Sequence, residues 1–227
     1  MKIAFFSDVH GNLEALEAML EASEDCGARY CGGDLVGYGD RPNEVIERIR
    51  QLEIPTVIGN HDLFALGVLD YDTVRDDLYR ASWTQSVLSQ DNSEWLAGLP
   101  QKLSIQEENI RVTLTHASPW DIQIYLYPDS DLLRKAMPID GSVLVVGHSH
   151  HAFVCPGHEG TIVNCGSVGF PRSGCPGAQF MVVESKTGAW SFRTAQYDIA
   201  SVSKRLTENG WHPDVVQKLQ DPSSKGG

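Results

Sequence analysis

The N-terminal part of the chain repeats one pattern, an apolar run followed by a polar loop. The first run, residues 3–7, ends at Asp8, a second ends at Asp34 and a third, at residues 56–58, ends near Asn60. Asp34 follows Asp8 by 26 positions, and Asn60 follows Asp34 by another 26, about the length of one strand plus one helix. The pattern predicts parallel strands whose carboxyl ends share one edge of a sheet, where open α/β sheets bind ligands.

Helices are predicted between these runs. Asn12 is placed to cap the first helix, in which Leu13, Leu16 and Leu20 form an apolar stripe. Pro42 is suited to the first turn of the second helix. The first sixty residues therefore predict βα units.

The remainder changes from helical to β-rich patterns. Residues 63 to about 100 are predicted to be helical, with a capping box formed by Thr73 and Asp76, and Pro100 ends the segment. Seven short β-rich runs are predicted to form a second sheet, at 102–106, 111–115, 142–146, 152–155, 161–163, 180–184 and 189–193. Helices follow at 199–206 and 215–219. We expect one domain over residues 1–220 and a flexible tail over 221–227.

Charge and cysteine content restrict the partners. A net charge of −12 disfavours nonspecific binding to nucleic acid or to an anionic membrane, because both are polyanions. No apolar run approaches the roughly 18 residues of a membrane span. Five cysteines without C-x-x-C spacing favour reduced thiols in the cytoplasm, with a regulatory or metal-binding thiol as the alternative. A homo-oligomer is compatible with the sequence.

Metal-competent side chains cluster at the ends of the apolar runs. Individually each is weak evidence, because an aspartate often caps a helix and a buried histidine is often a core residue. Together, oxygen and imidazole ligands from separate strand ends indicate a binuclear centre for divalent transition metals. The motifs are Asp8-Val9-His10, Gly33-Asp34, Gly59-Asn60-His61-Asp62, His116 and Gly147-His148-Ser149-His150.

This ordered set of motifs resembles that of the calcineurin-like metallophosphoesterases, in particular the small single-domain phosphodiesterases of bacteria and archaea. The matching motifs extend from Asp8 to Arg172. The resemblance implies a four-layer αββα sandwich, in which two mixed sheets are flanked by helices. It also implies hydrolysis of a phosphoester, with diesters favoured.

The resemblance further implies a ligand for each metal position. Asp34 would bridge two divalent transition-metal ions, for which Mn is favoured and Fe, Ni, Co and Zn are alternatives. His116 is assigned by its order and strand-end position, and a structural histidine is the alternative, because Ala117 follows where the family often has glycine. The first metal would bind Asp8, His10 and His150, and the second would bind Asn60, His116 and His148.

In the implied mechanism, a metal-bridging hydroxide attacks phosphorus and His61 assists the leaving group. Asp62 either orients the His61 imidazole or caps a helix. Three further residues are predicted substrate contacts: Asn12, Tyr38 and Arg172. For Tyr38 a packing role, and for Arg172 a surface ion pair, are equally compatible with the sequence.

Several functions remain open. A small anionic phosphodiester is the favoured substrate, because two bound cations would make the cleft locally positive. A phosphomonoesterase acting on nucleotides or proteins is the first alternative. A non-catalytic metal-binding scaffold is the second, although the ligand set and His61 are all present. A nuclease is disfavoured by the acidic balance.

Overall fold

Two mixed β-sheets form the centre of the protein. The computed structural model describes residues 1–172 and 174–223. The strand order is β2-β1-β8-β9 in the first sheet and β3-β4-β5-β7-β6 in the second. The strands are β1 (Lys2–Phe6), β2 (Ala28–Cys31), β3 (Lys102–Glu107), β4 (Ile110–Thr115), β5 (Val143–Val146), β6 (Phe153–Pro156), β7 (Thr161–Asn164), β8 (Ala178–Glu184) and β9 (Ala189–Ala195).

Helices cover the outer faces of both sheets. In chain order they are α1 (Leu13–Ala22), α2 (Pro42–Gln51), α3 (Asn60–Ala65), α4 (Asp76–Tyr79), α5 (Ala81–Val87), α6 (Gln90–Ala97), α7 (Leu132–Ala136), α8 (Ile199–Glu208) and α9 (Pro213–Gln220), with a 3₁₀ turn at Thr73–Arg75.

Strand β1 shows how the layers are held together. Its alternate side chains point to opposite faces, as in any strand. Ile3 and Phe5 belong to the core between the two sheets, which also contains Val145 of β5. Ala4 and Phe6 belong to the core under α1 and α2. A third core packs α7 against the outer face of the second sheet. The predicted four-layer sandwich is therefore confirmed.

The sheet assignment of the last two predicted strands was wrong. Strands β8 and β9 do not join the second sheet, because β8 pairs antiparallel with β1. Periodicity locates strands but does not identify their partners. The N-terminal strand thus has the parallel β2 on one side and a strand from the end of the chain on the other.

The third predicted strand is reduced to a single bridge between Thr56 and Cys31. The backbone N–H of Ile58 donates to the carbonyl of Pro100 (2.9 Å) instead of continuing the ladder. The predicted capping box at Thr73 and Asp76 is also wrong, since Asp72 accepts from the backbone N–H of Val74. The helical segment before Pro100 is broken into short helices.

Two C-terminal helices pack over the loops that follow the first strands. Leu206 of α8 and Val215 of α9 share a buried cluster with Tyr38 and Phe170. The prediction of one domain over 1–220 stays a prediction, and residues 224–227 of the predicted tail lie outside the described residues. Within residues 1–172 and 174–223, no helix combines the length and apolarity that crossing a membrane requires.

Candidate metal centre

Loops at one edge of both sheets bring a first triad of ligands together. Asp8 and His10 follow β1, and His150 follows β5. One ligand atom from each lies within 4.8 Å of the others, and all three residues are buried. His150 Nε2 lies 3.2 Å from Asp8 Oδ1 and 3.1 Å from His10 Nε2.

A second triad lies beside the first. It consists of Asp34, His116 and His148, from the loops after β2, β4 and β5, again buried and within 4.8 Å of one another. His116 Nε2 lies 3.2 Å from His148 Nδ1 and 2.9 Å from Asn60 Oδ1. All seven predicted ligands are therefore close to one of two triads.

Asp34 lies between the triads. Its Oδ2 atom is 3.7 Å from His10 Nε2 and 3.3 Å from His116 Nε2. Asp8 Oδ1 and Asp34 Oδ2 are buried without a hydrogen-bond partner among the described residues. Buried carboxylate oxygens normally have such partners or bind a cation. The donor set therefore fits two divalent cations, one in each triad.

Main-chain carbonyls orient the four imidazoles. His10 Nδ1 contacts Val36 O (2.9 Å) and His116 Nδ1 contacts Gly32 O (2.8 Å). His150 Nδ1 contacts Phe170 O (2.5 Å), and His148 Nε2 contacts Gln123 O (3.2 Å). A carbonyl accepts only from a protonated nitrogen, so in the neutral form of each ring the opposite nitrogen is bare, as metal binding requires. Sequence analysis missed these contacts because every residue has a backbone carbonyl, and no residue type marks the carbonyls that face an imidazole.

Burial and charge set the protonation of the metal-free site. Burial lowers the pKa of His10 to about 4 and of His148 to about 3, so both rings are neutral near pH 7. Burial also acts to lower the pKa of His116, but the Asp34 carboxylate outweighs it and raises that pKa to about 9. A proton on His116 thus supplies part of the positive charge that a metal would bring.

Five of the seven predicted ligand residues have a left-handed backbone, with φ between 52° and 63°. This conformation is uncommon for residues other than glycine and costs of the order of 1–3 kcal/mol each. Such strain is found where function fixes side-chain direction. The five are Asp8, His10, Asp34, His148 and His150.

His61 lies in an aromatic cage next to the first triad. Its ring centroid is 4.9 Å from those of His10 and Tyr38 and 4.8 Å from that of Tyr79. Burial holds its pKa well below the usual value. Its Nδ1 atom has no hydrogen-bond partner among the described residues, and its backbone N–H donates to Asp34 Oδ1 (2.8 Å). The ring is therefore neutral near pH 7 in the metal-free site.

Asp62 makes the hydrogen bonds of a helix cap, which was one of its two predicted roles. Its carboxylate accepts from the backbone N–H groups of Gly59 (2.9 Å) and Asp34 (3.0 Å), and from those of the next two residues, 35 and 36. None of these contacts involves the His61 ring. Asp62 instead fastens the loop that carries Asp34 to the start of α3.

The predicted substrate contact of Asn12 requires correction. Its Oδ1 caps α1 at Ala15 N (3.2 Å), and its Nδ2 donates to Gly169 O (3.1 Å) and Tyr197 OH (3.0 Å). Because both amide hydrogens are used within the protein, Asn12 has a structural role.

Tyr38 and Arg172 remain beside the site. Tyr38 is buried, and its ring lies 4.7 Å from that of His10 and packs against Phe170. Arg172 is partly exposed, and its backbone N–H donates to His150 O (3.1 Å). Sequence analysis missed Tyr79, which packs edge to face against His61, and Tyr125, which stacks on His148. No motif marks either of them.

The fold and the paired triads define a class of protein. Residues 1–188 match the Calcineurin-like phosphoesterase superfamily domain. The chain therefore belongs to that superfamily, whose members are metal-dependent phosphoester hydrolases.

Individual relatives agree with this assignment. The chain is 36% identical to the protein MJ0912 of Methanocaldococcus jannaschii, over 91% of this chain and 92% of that one. It is 27% identical to phosphodiesterase YfcE of Escherichia coli strain K12, over 80% and 87%. A crystal structure of a metallophosphoesterase from Sphaerobacter thermophilus superposes with a TM-score of 0.79 at 29% identity, covering 96% of this chain and 98% of that one.

Proposed function

We propose that the protein hydrolyses a small phosphodiester at a centre of two divalent metals. Asp8, His10 and His150 would hold one ion, and Asn60, His116 and His148 the other, with Asp34 shared between them. The observation that carries the proposal is the position of the Asp34 Oδ2 atom between imidazoles of both triads. Manganese is the favoured metal, with Fe, Ni, Co and Zn as alternatives.

Two bound cations would supply water activation and neutralise charge on the phosphoryl oxygens. The chain's own residues supply the rest. We assign His61 the stabilisation of the leaving oxygen, because the aromatic cage holds its ring beside His10 of the first triad and a neutral imidazole has one N–H that can donate to that oxygen. Asp62 acts as a positioning residue through the Asp34 loop. Arg172 is our candidate for contact with a substrate oxygen.

The choice of a diester is supported by the likeness to YfcE, a protein named as a phosphodiesterase. The test uses metal-free protein reconstituted with Mn²⁺ and two chromogenic substrates, bis(4-nitrophenyl) phosphate and 4-nitrophenyl phosphate. We expect two bound metals per chain by elemental analysis and a higher kcat/KM for the diester. A strong preference for the monoester would replace the substrate class by the phosphomonoesterase alternative.

Two variants test the roles of the residues. His61→Ala should lower kcat by about 10²- to 10³-fold, the usual effect of losing one hydrogen-bond donor to a developing oxyanion, while two metals stay bound. Asp34→Asn should reduce the metal content below two per chain. The matched controls are His158→Ala and Asp129→Asn, because both side chains are exposed. Turnover without any metal, or full activity of Asp34→Asn, would contradict the mechanism.

A further inference from the structure

One loop carries an unusual share of the exposed aromatic surface. Among the described residues, four aromatic side chains are 36–53% exposed, and three of them belong to residues 117–127, here called the aromatic loop. The three are Trp120 (40%), Tyr125 (38%) and Tyr127 (36%). The fourth is Phe192 on β9, in the other sheet. Clustered exposed apolar side chains mark binding surfaces more often than scattered ones do.

The aromatic loop is attached to the second triad. It begins directly after the ligand His116, and its Gln123 carbonyl contacts His148 Nε2 (3.2 Å). The Tyr125 ring stacks on the His148 ring with centroids 3.9 Å apart and planes 21° apart. Tyr127 stacks on Tyr125 at 5.5 Å and 10°. The aromatic surface is therefore continuous with a metal ligand.

Local hydrogen bonds hold the loop in shape. Ser118 Oγ donates to Asp121 O (2.8 Å) and accepts from Asp121 N (3.0 Å). Gln123 N donates to Asp121 Oδ1 (2.8 Å). Because the loop is already ordered, binding a ligand on its rings costs little additional conformational entropy.

A cavity of about 330 Å³ lies between the loop and the ligand His116. This volume is near the lower end of small-molecule pockets, about 300–1,000 Å³. Trp120 forms part of the wall, together with the polar side chains of Gln101, Lys102 and Asp121. Lys135 Nζ lies 4.1 Å from the centroid of the Trp120 ring, which nevertheless remains 40% exposed. The cavity thus combines an aromatic face with hydrogen-bond donors and an acceptor.

On the side of the first triad, buried aromatic side chains pack closely around the ligand His10. The His10 ring packs against the rings of Tyr38 and Phe170, which are only 7% and 3% exposed. A bulky group attached to a phosphate at the metal centre is therefore directed toward the aromatic loop.

We propose that the aromatic loop binds the base of a nucleoside, so that the substrate is a nucleoside-containing phosphodiester. A nucleobase has a flat π-face for stacking and an edge of donors and acceptors, which matches the Trp120 cavity. The inference rests on the proposed phosphodiesterase function.

The test compares three diesters that all release 4-nitrophenol: the 4-nitrophenyl esters of thymidine 5′-phosphate, ethyl phosphate and phenyl phosphate. With the Mn²⁺-loaded protein we expect the highest kcat/KM for the thymidine ester. Trp120→Leu should lower the thymidine-to-ethyl ratio of kcat/KM by about 5- to 100-fold, the usual effect of losing one base-stacking ring. Tyr127→Leu should also lower this ratio.

Phe192→Leu is the matched control, because it removes an exposed aromatic ring from the other sheet and should leave the ratio unchanged. An unchanged ratio in both loop variants would overturn the inference. Equal use of the phenyl and thymidine esters would also overturn it, because the site would then recognise a ring and not a nucleoside.

A binding measurement distinguishes failure of this inference from failure of the proposed function. Calorimetry on the Mn²⁺-loaded protein compares thymidine 5′-phosphate with ethyl phosphate, and needs no turnover. If none of the esters is hydrolysed, the proposed function fails. Tighter binding of thymidine 5′-phosphate that Trp120→Leu abolishes would still support the loop's role, and equal binding of the two phosphates would overturn it.

Discussion

The left-handed backbone of the ligand residues links local conformation to chemistry. Asp8 and His10 lie two positions apart, as do His148 and His150, and all four have positive φ. Side chains two positions apart in a strand point the same way. Here the positive φ angles break the strand geometry, so the backbone at each candidate ligand sets the direction of its own side chain. The strain has to be balanced by hydrogen bonds such as the one from His148 N to Asp8 Oδ2 (3.0 Å).

Gly59 gives a sharp test at this scale. A Cβ added there would lie 2.0 Å from Asp34 Oδ1, whereas its φ of −105° is accessible to any residue. The added Cβ would also lie 2.4 Å from the Asp34 backbone nitrogen, so Gly59→Ala should displace Asp34 as a whole, and we expect weaker metal binding by about tenfold or more and a matching loss of activity. Metal titration followed by calorimetry measures the effect.

Gly98→Ala is the control for this substitution, because its Cβ would meet the carbonyl oxygens of Trp95 and Glu94 no closer than 3.3 Å. Unchanged metal affinity in Gly59→Ala would show that Asp34 does not have to occupy its observed position.

For single residues, the sequence predicts which side chains belong to the candidate site better than it predicts what each of them does there. The candidate ligands could be predicted because aspartate and histidine side chains recur beside glycine at strand ends. The role of Asn12 could not, because its amide bonds to Gly169 and Tyr197, which are remote in sequence. The same holds for Asp62, whose partners are backbone N–H groups.

Among the elements, α8 and α9 hold the loop that carries Tyr38 in place beside the candidate site. Trp211, between the two helices, donates its indole N–H to the Tyr38 carbonyl. Arg205 of α8 binds both Asp40 and Glu14 through its guanidinium, at 2.7–3.1 Å. The loop that holds Tyr38 against the His61 ring is thus fastened from the C-terminal part of the chain.

Trp211→Phe removes that N–H and keeps most of the ring. It leaves the buried Tyr38 carbonyl without this donor, which costs about 1–3 kcal/mol and should lower Tm by several degrees. We also expect kcat to fall several-fold with two metals still bound, because the cage around His61 loosens. Thermal unfolding and steady-state kinetics give the two readouts.

Trp190→Phe serves as the comparison, because Trp190 packs against Phe5 in the core between the sheets. It should lower Tm without changing kcat. Equal effects of the two variants on kcat would argue against a positioning role for α8 and α9.

Element positions were predictable where periodicity was strong, as in β1, α1 and α2. The prediction of a third strand failed because the backbone N–H of Ile58 donates to the Pro100 carbonyl, and this tertiary contact outweighs the strand-like sequence. The strand that pairs with β8 could not be predicted either, because the buried residues of β8 would suit a strand in either sheet.

For the whole molecule, the candidate metal centre joins the two sheets. Asp8 and Asp34 follow strands of the first sheet, whereas His116, His148 and His150 follow strands of the second. The triads therefore exist only when the sheets are packed together, and a metal binds the folded chain far better than the unfolded one.

Metal removal should accordingly lower thermal stability. An ion present at 100 times its Kd contributes about 2.7 kcal/mol, and a chain of this size loses about 2–4 °C per kcal/mol. We expect a chelator to reduce Tm by about 5–11 °C for each metal lost, as measured by calorimetry. Asp34→Asn should show a much smaller change, and a chelator-independent Tm of the native chain would argue against tight binding.

The pairing of β1 with both β2 and β8 also bears on the order of events during synthesis. All seven ligand residues have left the ribosome once residue 150 is out, yet β1 still lacks its neighbour on one side until residue 184 has emerged. The nascent protein therefore holds a full set of metal-binding side chains before it has a completed first sheet on which to arrange them. Productive loading of the metals is thus expected only after residue 184 has emerged.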